Sequence, residues 1–320
     1  MKQRTKKVLL FSASLAVLGV LLCAVSLSIT GFDFTRLSVP SNSDRTELVQ
    51  TYEPAEVTRI VVDTEIDGVT LQPSPDGQLQ LRCYPGGGYT YDAAVNGTEL
   101  NIQQRKSGAA RLPSWFQINF DWDRGRTLTL SIPKGYDGDL LLEVDCGSLE
   151  IADGLDFTGA LDAKLALGNF SSGNLTAQSV TAQCSAGDIT GLGWQIGQYA
   201  RLAAGTGNVS IEDSAIGDML SCETGLGDIF LSQTTVPETT LYTGAGDVGF
   251  HGLTASHIQA ASGLGDVEGS IYGAEEDYSV DLGTKLGESN LPTRRGLTDK
   301  TLRIDCGAGD IRVKFLPERR

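Results

Sequence analysis

Gly205-Thr206-Gly207-Asn208-Val209, Gly225-Leu226-Gly227-Asp228-Ile229, Gly244-Ala245-Gly246-Asp247-Val248, Gly263-Leu264-Gly265-Asp266-Val267 and Gly307-Ala308-Gly309-Asp310-Ile311 are one pattern repeated. Looser copies are Ala166-Leu167-Gly168-Asn169-Phe170 and Ser185-Ala186-Gly187-Asp188-Ile189. Cys146-Gly147-Ser148-Leu149-Glu150-Ile151 keeps the frame, with Leu149 in the second-glycine column. That column then reads 149, 168, 187, 207, 227, 246 and 265, in steps of 19 or 20. One sharp turn per period of this size marks a stacked solenoid. The fold class expected is all-β: a parallel β-solenoid over 140–315 with an N-terminal hairpin cap over 57–139.

Working outward from the turns, each copy is preceded by an alternating strand. Leu161, Ala163 and Leu165, then Val180, Ala182 and Cys184, then Leu220, Cys222 and Thr224 fall at period two and face one side. The residue two after the second glycine (Phe170, Ile189, Val209, Ile229, Val248, Val267, Ile311) points inward as well. Each coil thus reads as a strand, a tight turn, a short strand and a looser return. That makes a two-sided solenoid of about nine coils, roughly 43 Å long at ~4.8 Å per strand.

A corner that stacks on itself leaves no room for bulk, and glycine takes positive φ at little cost. These considerations assign Gly168, Gly187, Gly207, Gly227, Gly246, Gly265 and Gly309 to a structural turn ladder. Asp188, Asp228, Asp247, Asp266 and Asp310 join it as residues that bond a backbone N–H of their own turn, as in Asx turns. The copy around Gly283-Thr284-Lys285-Leu286-Gly287 is degraded, with Lys285 in the glycine column, and a polar insertion from Ser289 to Lys300 follows. Arg312 and Lys314 are expected to face out on the last strand, where an edge needs charge.

Ahead of the repeats, Ile60, Val62 and Thr64, then Leu79–Leu81 and Leu100–Ile102, alternate as strands, and Asn96-Gly97 is a hairpin turn signal. Residues 33–56 are polar and read as a stalk; 316–320 read as a C-terminal tail. Val8 to Phe32 carries no charge and follows Lys2, Arg4, Lys6 and Lys7. As a helix this stretch spans roughly 37 Å, enough to cross a bilayer. The basic flank places 1–7 in the cytoplasm and the remainder outside, with 8–32 as a single-pass transmembrane signal anchor. A cleaved signal ending near Ala24-Val25-Ser26 is the rival reading, disfavoured by the length of the apolar stretch. The expected localisation is the cell membrane with the C-terminal domain extracellular.

The whole chain has a formal net charge of −15. Beyond residue 32 there are 21 basic and 40 acidic residues, a net of −19. No nucleic acid partner is therefore expected. Cell-wall polymer or an envelope protein is the expected partner class. No cofactor and no metal site is implied, since no CxxC or His-spaced pair occurs. Cys83, Cys146, Cys184, Cys222 and Cys306 are an odd set, not a finished disulfide framework. Cys146, Cys184 and Cys306 are placed in one inward column as buried thiols, and Cys146 and Cys184, two coils or ~9–10 Å apart, are too distant to bond.

The acidic line Glu150, Asp188, Asp228, Asp247, Asp266, Asp310 invites a cation-binding reading, but calcium rolls repeat every nine residues. Turn capping is the plainer account. A phosphate loop needs a helix after its glycines, and here a strand follows. His251 and His257 sit in one repeat without a nucleophile motif. The chain is accordingly read as not an enzyme; a glycan-active β-helix enzyme is the reading from another class. The run Trp115-Phe116-Gln117-Ile118-Asn119-Phe120-Asp121-Trp122 supplies the candidate contact residues Trp115, Phe116, Phe120 and Trp122. Burial of the alternating members in the cap is the plainer account of that run.

Ser131-Ile132-Pro133-Lys134-Gly135-Tyr136 followed by stacked Gly-x-Gly-Asp turns resembles the bacterial "putative adhesin" domain of unknown function, over about Val57 to Phe315. The resemblance implies a membrane-anchored β-solenoid outside the cell, in a family linked in part to envelope-stress operons. It carries no catalytic or binding residues with it. The function expected is a non-enzymatic, adhesin-like binding or scaffold module. An accessory role in envelope-stress sensing is the alternative.

Overall fold

The structure, a computed structural model, describes residues 47–86, 89–106 and 127–317. All of these except Gly86 belong to one compact unit. Two twelve-stranded sheets build it. One holds the strands before each corner, such as Tyr199–Thr206, Met219–Leu226 and Glu238–Ala245; the other holds those after it, such as Val209–Glu212 and Ile229–Ser232. Coil pairs with coil in parallel: Tyr199 beside Met219, Leu202 beside Cys222, Val209 beside Ile229. Within Met219–Leu226, Leu220, Cys222 and Thr224 are buried while their neighbours look outward, as the pleat requires.

The space between the sheets is filled one layer per coil. Leu202, Leu220, Cys222 and Leu241 come from one side, and Val209, Ile211, Ile229 and Leu231 from the other. Phe170 and Trp194 meet edge to face, 6.2 Å between ring centroids and 81° between planes. Glycines inside strands make room for rings: a Cβ on Gly191 would sit 2.5 Å from the Trp194 indole, and one on Gly269 would collide with Phe250.

The two-sided expectation needs correction. The returns Leu155–Asp156, Leu175–Ala177, Gln195–Ile196 and Ala215–Ile216 form a third, four-stranded parallel sheet. Each contributes a buried residue (Leu155, Leu175, Ile196, Ile216) that closes the core on that side. Strands of two or three residues are too short to show a period.

Stack order departs from chain order at both ends. Arg59–Thr64 lies in parallel between Glu99–Lys106 and Asp139–Cys146, so coil geometry reaches back into 57–139. At the other end Thr301–Ala308 inserts between His257–Leu264 and Ser279–Leu286. Ile311–Leu316 is the outermost strand of its sheet, with Arg312 and Lys314 exposed. Antiparallel pairs finish the N-terminal end: Tyr89–Asn96 with Glu99–Lys106, and Leu79–Cys83 with both Leu48–Tyr52 and Thr127–Ile132. A strand therefore forms inside the segment read as stalk.

Two frame assignments also change. Leu149 pairs with Phe170 and is buried; Gly147, not Leu149, lies beneath Gly168, so this step is 21 residues (147 to 168). Glu150 consequently stands beside Ser171 on the outer surface, away from the aspartate line. In the degraded copy Gly287, not Lys285, stacks on Gly309. The proposed transmembrane segment 8–32 and the tail 1–7 lie outside the described residues. Among the described residues no helix is long and apolar enough to cross a membrane.

Candidate functional site

The corner is where this backbone departs from ladder pairing, so its polar groups need separate accounting. In the coil around Gly207, the carbonyl of Thr206 accepts the N–H of Gly187, and that of Asn208 accepts the N–H of Ile189. The N–H of Gly207 donates to the Leu226 carbonyl, which leaves two groups between them: the N–H of Asn208 and the carbonyl of Gly207. Asn208 N–H donates to Asp188 Oδ1 of the preceding coil at 2.8 Å. The Gly207 carbonyl accepts from Thr224 Oγ1 of the following coil at 2.8 Å.

Both solutions recur. Asn169 Oδ1 accepts from Asp188, Asn208 Oδ1 from Asp228, Asp228 Oδ1 from Asp247, Asp247 Oδ1 from Asp266, and Asp266 Oδ1 from Asp310, at 2.7–2.9 Å. Ser148 Oγ starts the line under Asn169, and Glu288 N–H ends it on Asp310 Oδ1. The Asx side chains thus bond the next coil, where the sequence analysis expected a bond within each turn. Stacking sets the N–H of the equivalent residue in the next coil within hydrogen-bond reach of each Asx oxygen. Thr243, Ser262 and Thr284 hydroxyls donate to the carbonyls of Gly227, Gly246 and Gly309.

Gly227 shows why the corner excludes side chains. Its φ is 147°, and an added Cβ would run into the Gly207 carbonyl oxygen. Gly168, Gly187, Gly207, Gly246, Gly265 and Gly309 have the same sign of φ and the same carbonyl beneath them.

Cys306 joins the hydroxyl column, its Sγ 3.2 Å from the Gly265 carbonyl, and burial raises the thiol's pKa. Cys83 and Cys184 are buried and pushed up to about 11 by desolvation. Cys222 is likewise raised by burial. Cys146 is exposed, a correction to the single inward column: Val144, not Cys146, pairs with Leu165. All five are free thiols.

Sequence reasoning passed over the residue between the two glycines. Registered by pairing, that column runs Cys146, Leu167, Ala186, Thr206, Leu226, Ala245, then Leu264, Ala308, Leu286. Its leucines are exposed: Leu167 56 %, Leu226 58 %, Leu264 61 % and Leu286 73 %. An apolar ridge therefore runs beside the Asx line. The signal is the residue before the corner glycine, which is leucine at 167, 226, 264 and 286.

His251 is exposed and packs against Phe230, 5.4 Å between centroids. His257 Nδ1 lies 3.2 Å from Thr301 Oγ1. His257 lines an open depression of about 640 Å³ with Glu238, Asp281 and Arg303, and Thr293–Arg295 of the insertion line it as well. Arg294 is held by Glu275 at 3.0 Å. Among the described residues no group of three or more His, Cys, Asp or Glu is placed to hold a metal ion. Trp115, Phe116, Phe120 and Trp122 lie outside the described residues.

These features define a parallel β-solenoid whose corners are closed by side-chain ladders. The chain belongs to the family described as Toastrack DUF4097, whose model matches residues 57–314. No curated protein matches it in sequence. Among solved structures it is similar to one described as "a putative adhesin" from Bacteroides fragilis, at 17% identity over 84% of this chain and 97% of that one, TM-score 0.44. Another is "a putative cell adhesion protein" from Clostridium sporogenes, at 8% identity over 85% and 100%, TM-score 0.24.

Proposed function

We propose that the chain is a non-enzymatic binding or scaffold module at the bacterial cell surface. Segment 8–32 anchors it in the membrane, and the solenoid lies outside the cell. The observation that carries this reading is the use made of the acidic residues. Ladder aspartates recur once per coil and bond a neighbouring N–H, as frame elements do, while two broad sheets present every second side chain outward. A repeating outer surface of this kind suits an extended polymer or another envelope protein. The uncharged stretch behind a basic flank supports the anchor.

The test is saturable binding of the full-length chain, in neutral-lipid nanodiscs, to purified wall fractions and intact cells. Wild type is expected to bind above empty nanodiscs, and Trp115→Ala/Trp122→Ala to bind less. Absence of binding, together with turnover of a wall polysaccharide, would overturn the reading.

A further inference from the structure

The ridge and the Asx line lie side by side along the corner. Leu226, Leu264 and Leu286 each stand two coils from the next in the stack, so consecutive leucines are ~9.6 Å apart at ~4.8 Å per coil. Seven residues of α-helix rise ~10.5 Å. A helix with leucines at heptad spacing therefore keeps step with the ridge over these three contacts. Isolated exposed leucines need no explanation, but leucines aligned along one edge form a contiguous apolar strip.

The neighbouring line fixes the charge of what lies there. Asp228, Asp247 and Asp266 each engage Oδ1 in the ladder. At Asp310 the other oxygen, Oδ2, holds the Arg312 guanidinium at 2.6 Å. A second copy of the chain would set one acidic line against another, in a protein of net charge −15. A cationic partner meets no such repulsion along Asp228, Asp247 and Asp266; exposed Lys285, beside Leu286, is a like charge at that end of the ridge.

We propose that this corner docks a cationic amphipathic helix of a partner protein, its leucine face on Leu226, Leu264 and Leu286 and its lysine or arginine side chains along Asp228, Asp247 and Asp266. The assignment rests on the binding-module reading and names the partner chemistry for one edge.

The probe is a 21-residue Leu/Lys peptide with its leucines on one helical face, titrated against the full-length chain in neutral-lipid nanodiscs with empty nanodiscs subtracted. Leu226→Ser/Leu264→Ser/Leu286→Ser is expected to weaken binding at least about tenfold. Asp228→Asn/Asp247→Asn/Asp266→Asn keeps the ladder acceptors, as Asn169 and Asn208 do, and is expected to weaken binding and flatten its salt dependence. Unchanged melting temperatures keep both variants interpretable. Equal affinity in wild type and both variants would overturn the proposal. So would a wild-type dimer that the serine variant abolishes. A wild type that binds wall fractions but not the peptide removes this inference alone; a wild type that binds neither removes the module reading too.

Discussion

Asp228 Oδ1 accepts the backbone N–H of Asp247 at 2.8 Å, nineteen residues ahead in sequence and one coil away in space. The bond needs only a short side chain with an acceptor at that place. Asn169 and Asn208 fill equivalent places with an amide oxygen. Charge is thus dispensable to the frame, whereas the acceptor is not.

The glycines of positive φ divide into crowded ones at the corner and open ones in other turns, and the two should respond differently. Gly227→Ala meets both a φ of 147° and a carbonyl beneath it, and is expected to cost about 3 kcal/mol or more. Gly154 has a φ of 80° with nothing within 4 Å of an added Cβ; its alanine variant should cost only about 1–2 kcal/mol. Urea unfolding of both variants checks the difference.

The buried hydroxyl column makes a second prediction. Thr243→Val leaves the Gly227 carbonyl without its side-chain donor and is expected to cost about 1–2 kcal/mol, while Thr243→Ser keeps the donor and costs less. Cys306→Ser places a stronger donor against the Gly265 carbonyl and should stay within about 1 kcal/mol of wild type. Thermal melts of the three variants read the order.

Thiol labelling tests the burial pattern. Cys146 is exposed, while Cys83, Cys184, Cys222 and Cys306 are buried. With iodoacetamide at about pH 8 and peptide mapping, Cys146 should react first among these five, since the thiolate is the nucleophile and burial disfavours it. Raised folded-state values also have a stability consequence. Cys83 and Cys184 move from 9.0 up to about 11. Their contribution is fully present below the unfolded value of 9.0 and is lost as pH rises toward about 11. Stability measured across that window should fall.

Gly191 and Trp194 should be energetically coupled. A Cβ at 191 would lie 2.5 Å from the indole, so Gly191→Ala is expected to cost about 1–3 kcal/mol by overpacking. Adding Trp194→Phe relieves the crowding, and the double variant should be less destabilised than the sum of the single ones by about 1 kcal/mol. A double-mutant cycle in urea reads this directly.

The parallel coils were legible because one local signal, a glycine pair followed by Asp or Asn and an inward apolar residue, recurs at near-constant spacing. What escaped was whatever depends on the neighbouring coil. The bond from Asp228 to Asp247 has no local trace. Gly147 was misplaced because Leu149, the first inward residue of its strand, also fits a regular count. The place of Thr301–Ala308 between His257–Leu264 and Ser279–Leu286 is set by packing at the stack end, which periodicity does not encode. The ridge of Leu226, Leu264 and Leu286 is not legible locally, because the residue before the corner glycine looks like a spacer until the coils are in register.

The central claim is that the aspartate line holds coils together through its acceptors. Unfolding free energies of Asp228→Asn/Asp247→Asn/Asp266→Asn and of the corresponding triple alanine variant test it most directly. The asparagine variant is expected to match wild type within about 1 kcal/mol, and the alanine variant to lose about 3 kcal/mol, near 1 per missing acceptor. Equal losses in the two variants, or none in the alanine variant, would contradict the account.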